Sequence, residues 1–423
     1  MSLQLATIKT EGRRDAITMV LLTFSFSIIA MLIVLILLAI AGYTFDTGEL
    51  FNLAFTDVLN DKNNRAWILF WAGPLILSGL AVSLAFHVGL FNIGVQGQMI
   101  LGGSFAGIWA VVLAPDLLET NLLTNAFFMV LSTMVAGILG GAMWGFVPGL
   151  LKAKAGAHEV IVTILMNLIA ISLARYWFSS QRYSPFIDKS RGDTYNQTGP
   201  IQESAKIPKI GDSIPAFLSF TRLDLLVNWS ILDWSLAIVL VMVLVFQILI
   251  FRTKFGFKLR ATGFSQTASK TVGIRPDRLI ISAMTLSGAL GGLAGALISQ
   301  SVQYRYVVNQ EGSVGFDGIA VALIGQNAPF GIAIAAIFFG FLKQSKVNLK
   351  AESSIPADLI SSLQAFIVLF AAAPLLARAA LRRYKRLRYS EELKERSDVV
   401  DEPAKQEVGE ENPTTTQLKE DER

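Results

Sequence analysis

Residues 67–88, WILFWAGPLILSGLAVSLAFHV, and residues 93–114, IGVQGQMILGGSFAGIWAVVLA, are two apolar runs separated only by Gly89, Leu90, Phe91 and Asn92. Each has the roughly 20 residues that an α-helix needs to cross a hydrocarbon layer about 30 Å thick. Neither alternates apolar with polar positions as a barrel strand does. An unpaired backbone group is costly in lipid, so each run reads as a helix. Working outward, further runs of this kind occupy residues 17–42, 127–151, 160–178, 231–251, 279–301, 318–342 and 357–381. The expected fold is all-α, a polytopic membrane helical bundle with about eight full spans plus one broken re-entrant helix pair. Composition agrees: with 53% hydrophobic and only 16% charged residues, a chain of 423 residues is too apolar for a water-soluble domain.

The same composition excludes several chemistries. There is no Cys and there are two His, His87 and His158, so disulfides and Cys/His metal sites lack their raw material. No GxxxxGK[ST] loop occurs, so the chain has no phosphate cradle of that type for ATP. The first run follows Lys9, Arg13 and Arg14 and is too long for a signal-peptide core, which makes it a permanent span.

Orientation follows from basic residues in short loops, which stay cytoplasmic. Residues 1–16 are therefore a cytoplasmic N-terminus and 17–381 the membrane domain. Residues 115–125 carry Asp116 and Glu119 without a base and belong outside, as does the long loop 179–230. Between residues 252 and 278 seven Lys and Arg stand against Asp277 alone, the strongest cytoplasmic signal in the chain. Basic residues from Arg378 to Arg388 place the far end inside as well, and 382–423 become a basic, then acidic, disordered tail. Both termini are thus expected in the cytoplasm. Three runs in the final third must then make an even number of crossings. The conflict is resolved if 318–342 enters and returns, broken at Gln326–Asn327–Ala328–Pro329–Phe330–Gly331. Lys343, Lys346 and Lys350 then lie outside, against the charge rule.

Polar residues inside apolar runs mark candidate sites. Asn92 and Gln96 share a face if their segment is helical, and with Gln98 they suit hydrogen bonding to a neutral polar solute. The same amides serve as glue between helices, the reading that spacing alone favours. Glu159, Thr163 and Asn167 recur every four residues and form a stripe down one helix face. Glu159 has an ordinary explanation as a first-turn carboxylate at a helix N-terminus. Asp317 reads likewise as an interfacial cap, and Asn327 at the break faces a cavity. Gly137, Gly141, Gly145 and Gly149, with Gly288, Gly291, Gly292 and Gly295, predict close helix packing and no direct role toward a solute. In the basic loop, Gly256, Gly263 and Gly273 flank a short stretch with helical potential. It reads as a docking element for a soluble partner, with attraction to anionic lipid as the plainer account of its charge.

The chain resembles the permease subunits of bacterial ATP-binding-cassette importers of the branched-chain amino acid and simple-sugar type, closest to the nucleoside and simple-sugar branch. The resemblance rests on residues 89–98 (GLFNIGVQGQ), on PGLLKA at 148–153 with EVIVT at 159–163, and on GFDGIAVAL at 315–323. It also covers LRATG at 259–263 and Gly273-Ile274, which match that family's cytoplasmic coupling loop. The matches run from about Pro74 to Leu376. One departure is Val95-Gln96, where the family often has Ala-Glu.

The resemblance implies a non-catalytic permease subunit in the plasma (inner) membrane. Its partners would be an ATP-binding subunit that holds ATP and Mg, a second homologous permease, an extracytoplasmic solute-binding protein and membrane lipid, with no nucleic acid. It needs no cofactor of its own. Its substrate pathway would involve Asn92, Gln96, Gln98, Thr163, Asn167 and Asn327, and its coupling loop Lys258, Arg260, Gly263, Lys270 and Gly273. A nucleoside is the first expected solute and a simple sugar or branched-chain amino acid the alternative. An ion-coupled secondary transporter is the rival class. It usually needs buried carboxylates, and the spans show only Glu159 and Asp317 near their ends. A membrane enzyme would need a nucleophile with its base, and neither His has a suitably spaced acid.

Overall fold

A computed structural model describes residues 48, 52–113, 126–178, 196–213, 228–352 and 365. The chain separates into two compact units. Every described residue belongs to the one formed by residues 27–371, and the other, 1–26 with 372–423, lies outside the described residues. The expected spans 17–42 and 357–381, the loop 115–125 and the charged tail therefore fall largely or wholly outside what is described.

Helix α1 (Lys62–His87) begins where the Asp61 carboxylate accepts from the Asn63 N–H at 3.0 Å. It is apolar on all sides and almost wholly buried, as a helix surrounded by others must be. Helix α2 (Val95–Ile108) continues into a π-helical turn (Trp109–Leu113). Helices α3 (Ala126–Ala155), α4 (Glu159–Trp177) and α5 (Ser235–Arg252) follow, and each turns large apolar side chains outward. Met143, Leu168 and Ile248 are more than half exposed, a surface suited to lipid. Two short helices, α6 (Lys254–Phe264) and α7 (Gln266–Thr271), lead to α8 (Pro276–Ile298), then α9 (Val314–Ile324) and α10 (Pro329–Glu352). Among the described residues six helices are long and apolar enough to cross a membrane, and β-structure is confined to isolated bridges. The chain is an all-α, multi-pass integral membrane protein.

The expected glycine ridge is the packing seam. α3 and α8 run antiparallel, and a Cβ on Gly141 would stand 2.2 Å from the Gly288 carbonyl oxygen. On the neighbouring face of α8, a Cβ on Gly295 would meet the Met99 carbonyl oxygen of α2 at 2.1 Å. Three backbones thus touch where side chains are missing.

Three expectations change. The run 93–114 forms a helix of 14 residues plus the π turn, so α2 is not among the six long spans. Asn92 lies outside the helix, because Gly89 (φ +80°) turns the chain and α2 starts only at Val95. The broken run has unequal arms: the chain turns at Gln326 and Asn327 (φ +54° and +57°), as expected, but α9 has only 11 residues. At 1.5 Å per residue it is too short to cross, whereas α10, with 24 residues, is long enough by itself.

The cause is a strap, residues 304–313, that re-enters the bundle, so α9 starts near the middle of α1. Ser78 Oγ donates toward the Val314 and Gly315 carbonyls at 3.1 and 3.3 Å. α10 then runs back along α1, from Ile332 beside Gly79 to Gln344, which donates to Asn64 Oδ1 at 2.9 Å. The described parts of the expected external loop form a packed cap at the Lys62 end: Thr198 N–H donates to the Tyr306 carbonyl and Asn228 N–H to that of Lys62.

Candidate functional site: an interior polar junction and a basic helical hairpin

The start of α2 lies against α4, α8 and the strap. Asn92 Oδ1 accepts from Gly94 N–H at 2.8 Å, and its Nδ2 donates to Ser287 Oγ (2.8 Å) and Gln98 Oε1 (3.2 Å). Ser287 Oγ passes the chain on to the Ala81 carbonyl of α1 at 2.6 Å. Gln96 joins two elements: its Nε2 donates to the Gly312 carbonyl and its Oε1 accepts from Gly315 N–H, both at 2.9 Å. Asn167 of α4 does the same for α2, accepting from Gly97 N–H at 2.9 Å and donating to the Ile93 carbonyl at 3.0 Å. Thr163, one turn earlier on that stripe, bonds back to the Glu159 carbonyl at 2.8 Å, and Glu159 pairs with Lys152 at 2.7 Å. Five of the six expected pathway residues are thus gathered here. Asn327 is placed elsewhere, on the α9–α10 turn, where its carbonyl accepts from Ser83 Oγ at 3.0 Å. Its own Oδ1 is buried with no hydrogen-bond partner.

Sequence reading missed Glu311. It stands in the strap, 1% exposed, and neither carboxylate oxygen has a hydrogen-bond partner. It lies beside Gly103 of α2 together with the fully buried ring of Tyr306, whose centroid is 5.0 Å from that of Phe178. The expectation that interior carboxylates are limited to Glu159 and Asp317 near span ends is therefore corrected. The segment Asn309-Gln310-Glu311-Gly312-Ser313 reads locally as a polar surface loop, and only tertiary packing carries it inside. Asp317 changes role for the same reason. With α9 starting inside the bundle, it is no interfacial cap: it accepts from Ser313 Oγ at 2.8 Å and pairs with Lys343 at 3.2 Å. Lys343, expected beyond the span, reaches back along α10 to this pair, with its Nζ 5.4 Å from the Trp71 ring.

At the other end of α1, α6 and α7 form a helical hairpin. Thr253 Oγ1 caps α6 by accepting from Gly256 N–H, and Ser265 Oγ caps α7 by accepting from Ala268 N–H. Gly256 and Gly263 lie within α6, not at its flanks, because both face neighbouring backbone. A Cβ on Gly263 would stand 2.4 Å from the His87 carbonyl oxygen. Gly273 (φ +79°) ends the hairpin. Lys258 and Lys270 are exposed, whereas Arg260 is half-buried, its guanidinium 5.2 Å from the Phe251 ring centroid. Phe264 is 93% exposed at the tip, an apolar side chain offered to something outside the bundle.

A bundle crossed by discontinuous helices, with interior polar groups at their starts and an exposed hairpin fixed to its central helix, defines a membrane permease. Residues 64–373 match the family described as branched-chain amino acid transport system / permease component, and the chain belongs to it. It is similar to the guanosine ABC transporter permease protein NupP of Bacillus subtilis, 35% identical over 74% of this chain and 82% of the relative. The nucleoside ABC transporter permease protein NupB of Lactococcus lactis is 30% identical over 81% and 88%. The glucose ABC transporter permease protein TsgB13 of Haloferax volcanii is 26% identical over 78% and 82%. No solved structure matches the chain.

Proposed function

We propose that this chain is the non-catalytic membrane subunit of an ATP-driven importer, and that its solute is a nucleoside. The observation that carries the ATP-driven reading is the backbone contact between Gly263 of α6 and the end of α1 at His87. A partner ATPase pressing on the hairpin, through Lys258, Arg260, Lys270 and the Gly273 turn, would move the bundle's central helix directly. In this reading the hairpin and both chain termini are cytoplasmic, the 196–213 cap faces outward, and the protein sits in a bacterial plasma membrane. ATP and Mg belong to the partner. A second homologous permease and an extracytoplasmic binding protein complete the machine, and the bundle alternates access around its interior polar junction.

The nucleoside reading is supported by the two most identical of these relatives. Glu311 beside Tyr306 fits it chemically: an acceptor pair next to an aromatic face suits a ring that carries N–H or O–H donors. Asn92, Gln96, Gln98, Thr163 and Asn167 shape this region, and Asn327 holds its unpartnered side-chain Oδ1 at the α9–α10 turn. The glucose relative favours a simple sugar as the second reading, since a sugar also offers donors to a carboxylate.

The test is uptake of labelled nucleosides and sugars in cells that express the chain with its ATPase and binding protein, each omitted in turn. Nucleoside uptake that disappears without the ATPase is expected. Uptake by the chain alone that collapses with the ion gradient would overturn the proposal in favour of a secondary transporter.

A further inference from the structure

The outward face of α5 carries Val241, Leu244, Val245, Ile248 and Phe251, each 39–56% exposed. Their spacing follows one helix face for about three turns, so they form a continuous apolar surface suited to lipid. The stripe ends at an open cavity of about 730 Å³ between the end of α5 and the α6–α7 hairpin. Four cations line it, Arg252, Lys254, Lys258 and Arg260, with Phe251 and Phe257 among its apolar walls. No Asp or Glu lines it, and none of the four makes an ion pair among the described residues. Exposed cations gathered without a counter-charge beside a membrane-facing helix attract anionic lipid headgroups. The apolar stripe states what is attached to that anion. A free phosphate or a nucleotide would use the cations and leave the stripe idle, whereas a phospholipid uses both.

We infer that this cavity binds an anionic phospholipid of the adjoining leaflet, its phosphate held by Arg252 and Lys254 where α5 passes into α6 and its acyl chains along the Val241–Phe251 face of α5, which leaves Lys258 and Arg260 to the coupling contact. The bound lipid bridges α5 and α6 on the membrane side of the hairpin. The tip at Phe264 does not line the cavity and stays open to a protein partner. The inference rests on α5 facing lipid and is independent of which solute is carried.

The test is native mass spectrometry of the full-length protein from nanodiscs of phosphatidylcholine with graded phosphatidylglycerol. The wild type is compared with Arg252→Gln/Lys254→Gln and with the charge-keeping Arg252→Lys/Lys254→Arg. Retained phosphatidylglycerol is expected to fall about tenfold in the neutralised variant, to persist in the charge-keeping one, and to exceed phosphatidylcholine in the wild type. Equal retention of the two lipids by the wild type would overturn the inference. So would equal phosphatidylglycerol retention in all three proteins, or displacement of the lipid by millimolar inorganic phosphate, which would make the cavity a site for the free anion. A fourth arm measures co-purification of the ATPase subunit. If neutralisation releases the ATPase and leaves lipid preference unchanged, the cations serve a protein contact and the lipid site is refuted. Solute uptake is read separately, so failure here is distinct from failure of the permease reading.

Discussion

Gln96 and Glu311 are equally buried, each 1% exposed, yet their surroundings are opposite. The amide is consumed: both its ends hold backbone groups of the strap and of α9. The carboxylate holds nothing through either oxygen. One therefore stabilises the resting bundle, and the other costs stability that a solute or a proton can recover. Residue type alone does not separate these roles, because both are polar groups carried into an apolar interior.

The sharpest way to break this comparison is Gln96→Leu. It strands the Gly312 carbonyl and the Gly315 N–H, two buried backbone groups, and is expected to cost about 2–4 kcal/mol, read as a lower melting temperature and poor yield in detergent. Glu311→Gln should act the other way on stability. Removing an unpartnered buried carboxyl is expected to raise the melting point by the equivalent of about 1 kcal/mol while nucleoside uptake falls roughly tenfold. Lower stability with unchanged uptake would place Glu311 with Gln96 as scaffold.

The Asp317–Lys343 pair lies between these extremes, partly buried and mutually satisfied. Asp317→Asn and Lys343→Met should each destabilise by about 1 kcal/mol, and the double variant by less than their sum, in a thermal-melt mutant cycle. The smallest effect is expected at Asp233, just before α5, where burial raises the carboxyl above its ordinary range although Oδ1 accepts from Ser235 N–H at 2.9 Å. Its folded pKa exceeds its unfolded one, so the penalty builds as the pH rises from the ordinary carboxylate range to the raised value, is complete above that value, and vanishes below about pH 3. Asp233→Asn should therefore raise the melting temperature slightly at pH 7 and leave it unchanged in acid.

Much of this architecture was legible in residue spacing. The four-residue glycine repeat marked the α3–α8 seam, the Thr163–Asn167 stripe marked the face of α4 that meets α2, and Gln326-Asn327 marked the α9–α10 turn. These are local signals, since a missing side chain or a left-handed turn acts where it stands. Depth is different. The strap at 304–313 reads as a loop because its residues are polar, and only the space left by Gly103 and Gly107 on α2, far away in sequence, admits Tyr306 beside Glu311. The unequal arms of the broken run and the inward reach of Lys343 follow from that one insertion. The candidate site was legible as a set of amides, but their mutual bonding was not, because spacing along a helix does not state what lies across from it.

Gly263 meets the end of α1 with no side chain between them, and that leaves the linkage without slack. A joint made through rotamers would absorb a small thrust as side-chain rearrangement before the helix behind it moved. Here the two main chains bear on each other, so the play in the gearing approaches zero. A single methyl added at Gly263 would lengthen the push-rod, leaving α1 displaced even when nothing presses on the hairpin.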